Sequence, residues 1–165
     1  MFQPPKSLRW IWQSKCMPKI KFFAWLLLND RLNTRNLLRR RSKYLDQGYN
    51  YVLCHEDVEE TASHLFFDCS TAITRWFSIG IIWDDSLDIN QKIENKKAEF
   101  GSPFFMEIFM VPAWCIWKER NSVIFDGKIP SVSLWKTSFK KEVLLHLARF
   151  RPSLHRSTMA WLDSL

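Results

Sequence analysis

Residues 51–69 read YVLCHEDVEETASHLFFDC, and two cysteines and one histidine in this stretch have the spacing of zinc ligands. Cys54, His64 and Cys69 would supply three of them. Tyr51 stands three residues before Cys54, where a fourth ligand would be expected, and a phenol is not a usual zinc ligand. The stretch predicts either a three-ligand zinc site, completed by water or another side chain, or a degenerate site whose loop is held by packing. Because the loss of one ligand removes much of a structural site's affinity, we expect the degenerate site and no cofactor, with zinc as the alternative.

The composition indicates a folded chain that exposes some aromatic surface. Of the 165 residues, 47% are hydrophobic and only four are glycine, which excludes a disordered tail. The length suits one compact domain. Nine tryptophans and thirteen phenylalanines exceed what a core of this size can enclose. We therefore expect exposed aromatic side chains, which favour a partner, a homo-oligomer or stacking on bases.

The formal charge of +7 is distributed unevenly along the chain. Residues 1–50 carry eleven Lys or Arg against two acids, and residues 51–100 carry four against ten. The remainder returns to a net positive charge. A basic first third before an acidic middle indicates either an anionic partner or mutual packing of the two segments, and both stay open at this point.

Apolar periodicity predicts a mainly α fold, with a small helical domain around a zinc-knuckle-like loop and one or two C-terminal helices after it. Pro18 begins a segment with a broad apolar face, and Asn33 or Thr34 can cap the next helix. Near the C-terminus, apolar side chains recur every fourth residue and predict an amphipathic helix. These side chains are Trp135, Phe139, Val143 and Leu147.

Three further segments have less regular patterns. Residues 104–121 have a helical pattern that Pro112 is expected to kink or interrupt. Residues 124–130, IFDGKIP, predict a short strand or a turn. Residues 83–102 are first acidic and then polar, and we expect a linker or loop there.

Several motifs together resemble the reverse transcriptase zinc-binding domain, which lies at the C-terminal end of plant non-LTR (LINE-type) retrotransposon polyproteins. They are PKIKFFAW after an upstream tryptophan, the basic RLNTRNLLRRR, and the Cys/His segment with its EET and HLFF. A later run, WCIWKERNSVIF, resembles the one that follows the zinc segment in these elements. The matching positions of the first three motifs are Trp12, Pro18, Lys19, Lys21, Phe23, Trp25, Arg31, Leu32, Thr34, Leu38, Arg41, Cys54, Glu60, His64, Leu65, Phe66, Phe67 and Cys69.

The resemblance implies a domain organisation and a site. Tyr51 stands where the family places its first cysteine, and nothing in the sequence requires His55 or Cys16 to replace that ligand. The chain begins with methionine just before the domain, so we expect a free-standing, domesticated fragment of such an element. The expected segments are a reverse transcriptase zinc-binding-like domain at 8–82, a polar linker or loop at 83–102, and a helical extension at 103–165 that packs on the first part.

The first functional hypothesis is binding of RNA or single-stranded nucleic acid through the basic N-terminal third. The resemblance implies that such a domain handles template RNA, and interleaved aromatics such as Trp10, Trp12 and Trp25 could stack on bases. Alternatively, the arginines are solvated or pair with the acids of residues 56–60. The candidate phosphate contacts are Arg31, Arg35, Arg39, Arg40, Arg41 and Lys43.

The second hypothesis is a protein-interaction module. A domain cut free from a polyprotein would expose the apolar surface that its former interface used. We expect exposed aromatics of the FFMEIFMVPAWCIW segment to engage a host protein, and such a fragment could act as a cytotoxic or incompatibility factor. The candidate contacts are Phe104, Phe105 and Trp117.

Catalysis and membrane insertion are not expected. The sequence contains no polymerase Y-x-D-D, P-loop, nucleophile elbow or H-E-x-x-H motif, and no apolar run suits a transmembrane helix. No signal peptide opens the chain, so we read the four cysteines as reduced thiols of a cytoplasmic or nuclear protein. The chain is basic and free of acids up to Asn29, which leaves a mitochondrial address as the alternative.

Overall fold

The computed structural model describes residues 8–101 and 104–165, and within them the protein is mainly helical, as predicted. The described residues form no β-strand, although an isolated antiparallel bridge, Asn50–Glu59, closes the loop that carries Cys54. A π-helical segment, His64–Asp68, precedes α4. The α-helices are α1 (Arg9–Gln13), α2 (Pro18–Leu28), α3 (Arg35–Arg40), α4 (Ser70–Ser78), α5 (Ile89–Phe100), α6 (Phe105–Asp126), α7 (Val132–Leu147) and α8 (Pro152–Ser164).

Local signals in the sequence set the starts of α2 and α3. Pro18 is the first residue of α2, where its fixed φ and missing N–H are compatible with a helix start. Thr34 is the N-cap of α3, and its Oγ1 accepts a hydrogen bond from the N–H of Leu37 at 3.2 Å. Of the two caps predicted for this helix, Thr34 is therefore the one that is used.

Residues 89–100 form a helix where the sequence predicted a linker or loop, so this part of the prediction was wrong. A capping box begins the helix: Asp88 accepts from the N–H of Gln91 at 2.9 Å, and Gln91 accepts from the N–H of Asp88 at 3.1 Å. The helix is polar but still anchored, because Ile93 is buried and the Lys92 ammonium donates to a backbone carbonyl at 2.9 Å. Its low apolar content concealed it from the periodicity argument.

α6 runs unbroken through Pro112, so the predicted interruption does not occur. The residues on either side of this proline are buried, and their packing offsets the hydrogen bond that a proline removes from a helix. α6 ends at Asp126, and the residue that follows, Gly127, has a φ of 62°, the left-handed conformation common at the C-terminal end of a helix. Residues 124–130 are therefore a helix end followed by a loop, and the predicted strand or turn is not found.

The centre of the core is a group of aromatic rings. Phe67, Trp76 and Phe109 lie nearly parallel, with ring centroids 6.1 to 6.4 Å apart and interplanar angles of at most 8°. Trp83 meets all three edge-on at 5.0 to 6.0 Å. Both geometries are favoured by aromatic quadrupoles. Because the four rings come from the π-helical segment, α4, the loop after α4 and α6, they join the first part of the chain to α6.

The C-terminal helices cover the first part of the chain. α6 packs against α2, α5 and α7, and α7 packs against α4. In α7, Trp135, Phe139 and Val143 are buried, as the periodicity predicted, while Leu147 at the end of the repeat is only half-buried. With α8, this part has three helices where one or two were expected. Residues 102 and 103, at the border of the predicted linker, lie outside the described residues. Among the helices described, none combines the length and hydropathy that a membrane crossing needs.

Candidate metal centre and nucleic-acid interface

The three predicted metal ligands meet at one point. Cys54 lies in the loop closed by the Asn50–Glu59 bridge, His64 begins the π-helical segment, and Cys69 directly precedes α4. Their ligand atoms all lie within 4.8 Å of one another. Tetrahedral zinc bonded to sulfur and nitrogen places its donors roughly 3.5 to 3.8 Å apart, so a small movement would close the site. We call these residues the Cys–His–Cys cluster.

The π-helical segment positions two of the three ligands. The N–H of Cys69 donates to the carbonyl of His64 at 3.0 Å, which closes a turn between residues five apart and brings them side by side. The N–H of His64 donates in turn to Thr61 Oγ1 at 3.1 Å. Leu65, Phe66 and Phe67 are buried in the core, and this packing holds the wider turn in place.

The state of the cluster's own atoms fits a bound cation. His64 is 9% exposed, and its Nε2 is buried without a hydrogen-bond partner among the described residues. Such an atom is costly in the interior, and a metal ion would satisfy it. Burial raises the pKa of the Cys54 thiol, the N–H of Glu56 at 3.4 Å from its sulfur lowers it, and Cys69 raises it further, so zinc binding would have to displace the proton of this thiol. Two thiols and an imidazole form a soft donor set that suits zinc.

No further Cys, His, Asp or Glu of the described residues joins the cluster. Tyr51 is buried, and its ring packs edge-on against the His64 ring, with centroids 5.9 Å apart. A phenol is not a usual zinc ligand, and burial raises the pKa of the Tyr51 phenol further. Cys16 is buried in the core and His55 is exposed, and neither belongs to the cluster. The residues present therefore fit an incomplete zinc site.

Glu60, an acid of the same loop, is fully buried and joins three parts of the chain. Arg120 of α6 donates to both carboxylate oxygens: its Nη2 lies 2.6 Å from Oε1 and its Nε 3.0 Å from Oε2. The N–H of Arg35, at the start of α3, donates to Oε1 at 2.9 Å. Both charged side chains of the ion pair are buried, so removal of either one would leave an uncompensated charge. We call these three residues the Glu60 network.

The network corrects one predicted phosphate contact. The Arg35 side chain is buried, where it donates to the carbonyl of Asn50 at 2.9 Å and to Gln47 Oε1 at 3.4 Å. Burial also lowers the pKa of Arg35. This arginine therefore fastens the loop and does not face solvent. The sequence contained one signal for the network. Glu60 lies in the EET motif and Arg120 in the WCIWKERNSVIF run, and the two residues carry opposite charges.

Two other predicted phosphate contacts form surface ion pairs. Arg39 lies 2.8 Å from Glu59, and Arg40 lies 2.7 Å from Asp30. The Arg39–Glu59 pair agrees with the alternative in which the arginines pair with the acids of residues 56–60. Exposed pairs of this kind stabilise a fold by roughly 0 to 1 kcal/mol, so a stronger anionic ligand can displace them.

The remaining predicted contacts face solvent. Arg31, Arg41 and Lys43 are exposed, and the last two form no ion pair with any residue that the structure describes. The guanidinium of Arg31 lies 5.7 Å from an indole ring of α2. Trp12 and Phe22, in the same third of the chain, are 42% and 55% exposed. Exposed cations and exposed aromatic rings therefore occur together in the N-terminal third.

The predicted protein-contact surface needs correction. Phe105 is 1% exposed and packs in the core against Phe100, so it cannot face a partner. Phe104 and Trp117 are half-buried, and the Trp117 ring lies 4.7 Å from the guanidinium of Arg120. The physical reason is that α6 is a central helix whose apolar residues are needed by the core. Exposed apolar side chains of the described residues include Phe22, Phe77, Ile82, Phe125, Ile129 and Leu134.

Residues 3–76 match the family model for zinc-binding in reverse transcriptase. This part of the chain therefore matches the reverse transcriptase zinc-binding domain family, as the motifs implied. The family indicates a retrotransposon-derived, nucleic-acid-associated role. The match ends within α4, so the later helices lie beyond it. Neither the curated proteins nor the solved structures compared with the chain include a match to it.

Proposed function

We propose that the protein is a non-catalytic, single-stranded RNA-binding protein whose phosphate contacts lie at the C-terminal end of α3 and in the turn after it. The observation that carries this proposal is the pair Arg41 and Lys43, two exposed cations that no described acid neutralises. When such cations neutralise phosphates, the counterions condensed on the nucleic acid are released, and this release favours binding.

The aromatic rings of the same third support a single strand as the ligand. Trp12 and Phe22 are exposed on α1 and α2, and the Lys21 ammonium donates to the carbonyl of Trp12 at 3.0 Å. Proteins that bind single strands combine cations for the backbone with aromatic faces on which bases stack. A duplex keeps its bases stacked on one another and offers no such contact.

The test compares two charge-reversal variants by fluorescence anisotropy with a labelled single-stranded RNA. In the first, Arg41→Glu is combined with Lys43→Glu. In the control, Lys128→Glu is combined with Lys141→Glu, which removes two exposed lysines of the C-terminal part. Each pair changes the formal charge by the same amount, so only the location differs.

We expect binding by the unaltered protein to weaken steeply with salt. The Arg41 and Lys43 variant should bind more weakly, and its slope of log K against log salt should fall by about 1 for each phosphate that is no longer neutralised. The control should keep most of its affinity and its slope. Equal losses in the two variants, or binding that is independent of salt, would contradict the proposed surface.

A further inference from the structure

A cleft of about 570 Å³ lies between α3, the turn at residues 45–47 and the C-terminal half of α6. It is separate from the Cys–His–Cys cluster, and none of the cluster's residues lines it. The polar and aromatic side chains that line it, and that could contact a ligand, include Asn33, Gln47, Trp117, Arg120, Asn121 and Phe125. We call this cavity the α3–α6 cleft.

One wall of the cleft is a continuous stripe of α6. Trp117, Asn121 and Phe125 follow one another at intervals of four residues, so they lie on the same helix face. Trp117 forms the inner part of this wall, since its ring also packs near Phe66 in the core. Phe125 is 75% exposed although it lines the cleft, so its ring lies at the open side. A flat ligand entering the cleft therefore meets an aromatic side chain at its mouth and another inside.

The polar groups of the cleft suit a neutral ligand with hydrogen-bonding edges. The carbonyl oxygens of Gln47 and Asn121 accept hydrogen bonds from the two buried arginines, so their amide NH₂ groups remain as donors. Arg35 and Arg120 also line the cleft, but the buried Glu60 and the lining residue Asp46 offset their two charges, so the cleft has no net positive charge for a phosphate. Amide side chains are the groups that read the edges of bases.

The walls of the cleft are fixed in position before any ligand arrives. Glu60 binds Arg120 of one wall by two hydrogen bonds and holds the N–H of Arg35 in the other. A site that is already ordered loses little conformational entropy on binding. Arg41 and Lys43 lie in the segment of chain that connects Leu38 and Leu45, two residues that line the cleft.

We propose that the α3–α6 cleft receives one unstacked base of the single strand, whose backbone lies on Arg41 and Lys43. This inference rests on the proposed function and adds a base subsite to it. The Phe125 ring stacks on the base, and the amide groups of Gln47 and Asn121 donate to its edge.

The experiment measures the affinity of two oligonucleotides of equal length and charge, one with all bases and one with abasic sites throughout. Phe125→Ala is compared with Phe77→Ala, which removes a ring that is 66% exposed on α4, and with Phe125→Trp, which keeps a stacking face. Phe125→Ala should weaken binding of the base-bearing strand about tenfold and leave the abasic strand unchanged. Phe77→Ala and Phe125→Trp should bind both strands like the unaltered protein.

Each remaining outcome overturns the base subsite, and binding of the abasic strand shows whether the proposed backbone contacts are overturned as well. Equal affinity for the two strands, or equal losses for Phe125→Ala and Phe77→Ala, overturns the subsite but leaves the proposed backbone contacts intact. Binding of neither strand overturns both proposals.

Discussion

The loop of residues 50–69 is held in two different ways at its two polar sites. At the Glu60 network, the buried carboxylate has partners on both of its oxygens, one from α3 and two from α6. At the Cys–His–Cys cluster, His64 Nε2 has no partner among the described residues, and those residues supply no fourth Cys, His, Asp or Glu. The contrast indicates that this loop does not depend on a metal alone, because an ion pair and a buried aromatic segment already connect it to the fold.

The largest expected effect comes from breaking the satisfied site. Glu60→Gln keeps the shape of the side chain but leaves the buried Arg120 guanidinium without a counter-charge. We expect the free energy of unfolding to fall by about 3 to 5 kcal/mol, a large fraction of the total stability of a domain. Denaturation by urea, followed by circular dichroism, measures this change.

Two further variants isolate the buried charge as the cause. Glu59→Gln changes the neighbouring acid, whose partner Arg39 is on the surface, and should cost at most about 1 kcal/mol. Adding Arg120→Met to Glu60→Gln removes the unpaired charge and should restore part of the lost stability. If Glu60→Gln were no more harmful than Glu59→Gln, the network would not be the main fastening of the loop.

The second prediction completes the unsatisfied site. Tyr51 lies next to the cluster, and its carbonyl accepts from the N–H of Cys54 at 3.2 Å, so Tyr51→Cys introduces a thiol at the start of this turn. A complete four-ligand zinc site is worth roughly 10 to 16 kcal/mol, of which one ligand in four is about 3 kcal/mol. We expect zinc affinity, measured by competition with a chelating dye, to rise about a hundredfold.

The control for this gain is Tyr51→Ser, which removes the same ring without adding a thiol. It should show no tighter zinc binding than the unaltered protein, and both should bind more weakly than Tyr51→Cys. Weaker zinc binding by Tyr51→Cys, or the same affinity in all three, would show that this position does not face a metal.

The sequence predicted the cluster but not the network, for a physical reason. Ligand types at fixed spacing within a short segment identify Cys54, His64 and Cys69 without knowledge of the fold. Glu60 and Arg120 are sixty residues apart, and their pairing exists only because α6 packs beside the loop. Opposite charges in two motif runs suggest a pair but give no distance.

The same distinction explains which helices were predicted. α7 shows its buried side as a four-residue repeat, whereas α5 buries little apolar surface and is set by a capping box and by the hydrogen bond from Lys92 to a carbonyl. Only the first kind of helix is visible as periodicity. The burial of Arg35 likewise follows from the position of α3 against the loop, which a run of basic residues does not encode.

The smallest expected effect tests how far the network extends into α3. The N-terminus of this helix has two acceptors, Thr34 Oγ1 for the N–H of Leu37 and Glu60 Oε1 for the N–H of Arg35. Thr34→Ala should lower the free energy of unfolding by about 1 kcal/mol, while Thr34→Ser keeps the hydroxyl and should lose less. If the two acceptors support each other, Thr34→Ala should destabilise less in the Glu60→Gln background than in the unaltered protein, since the start of α3 that the cap stabilises is then already loosened. Effects that simply add would show that the cap and the network act on α3 independently.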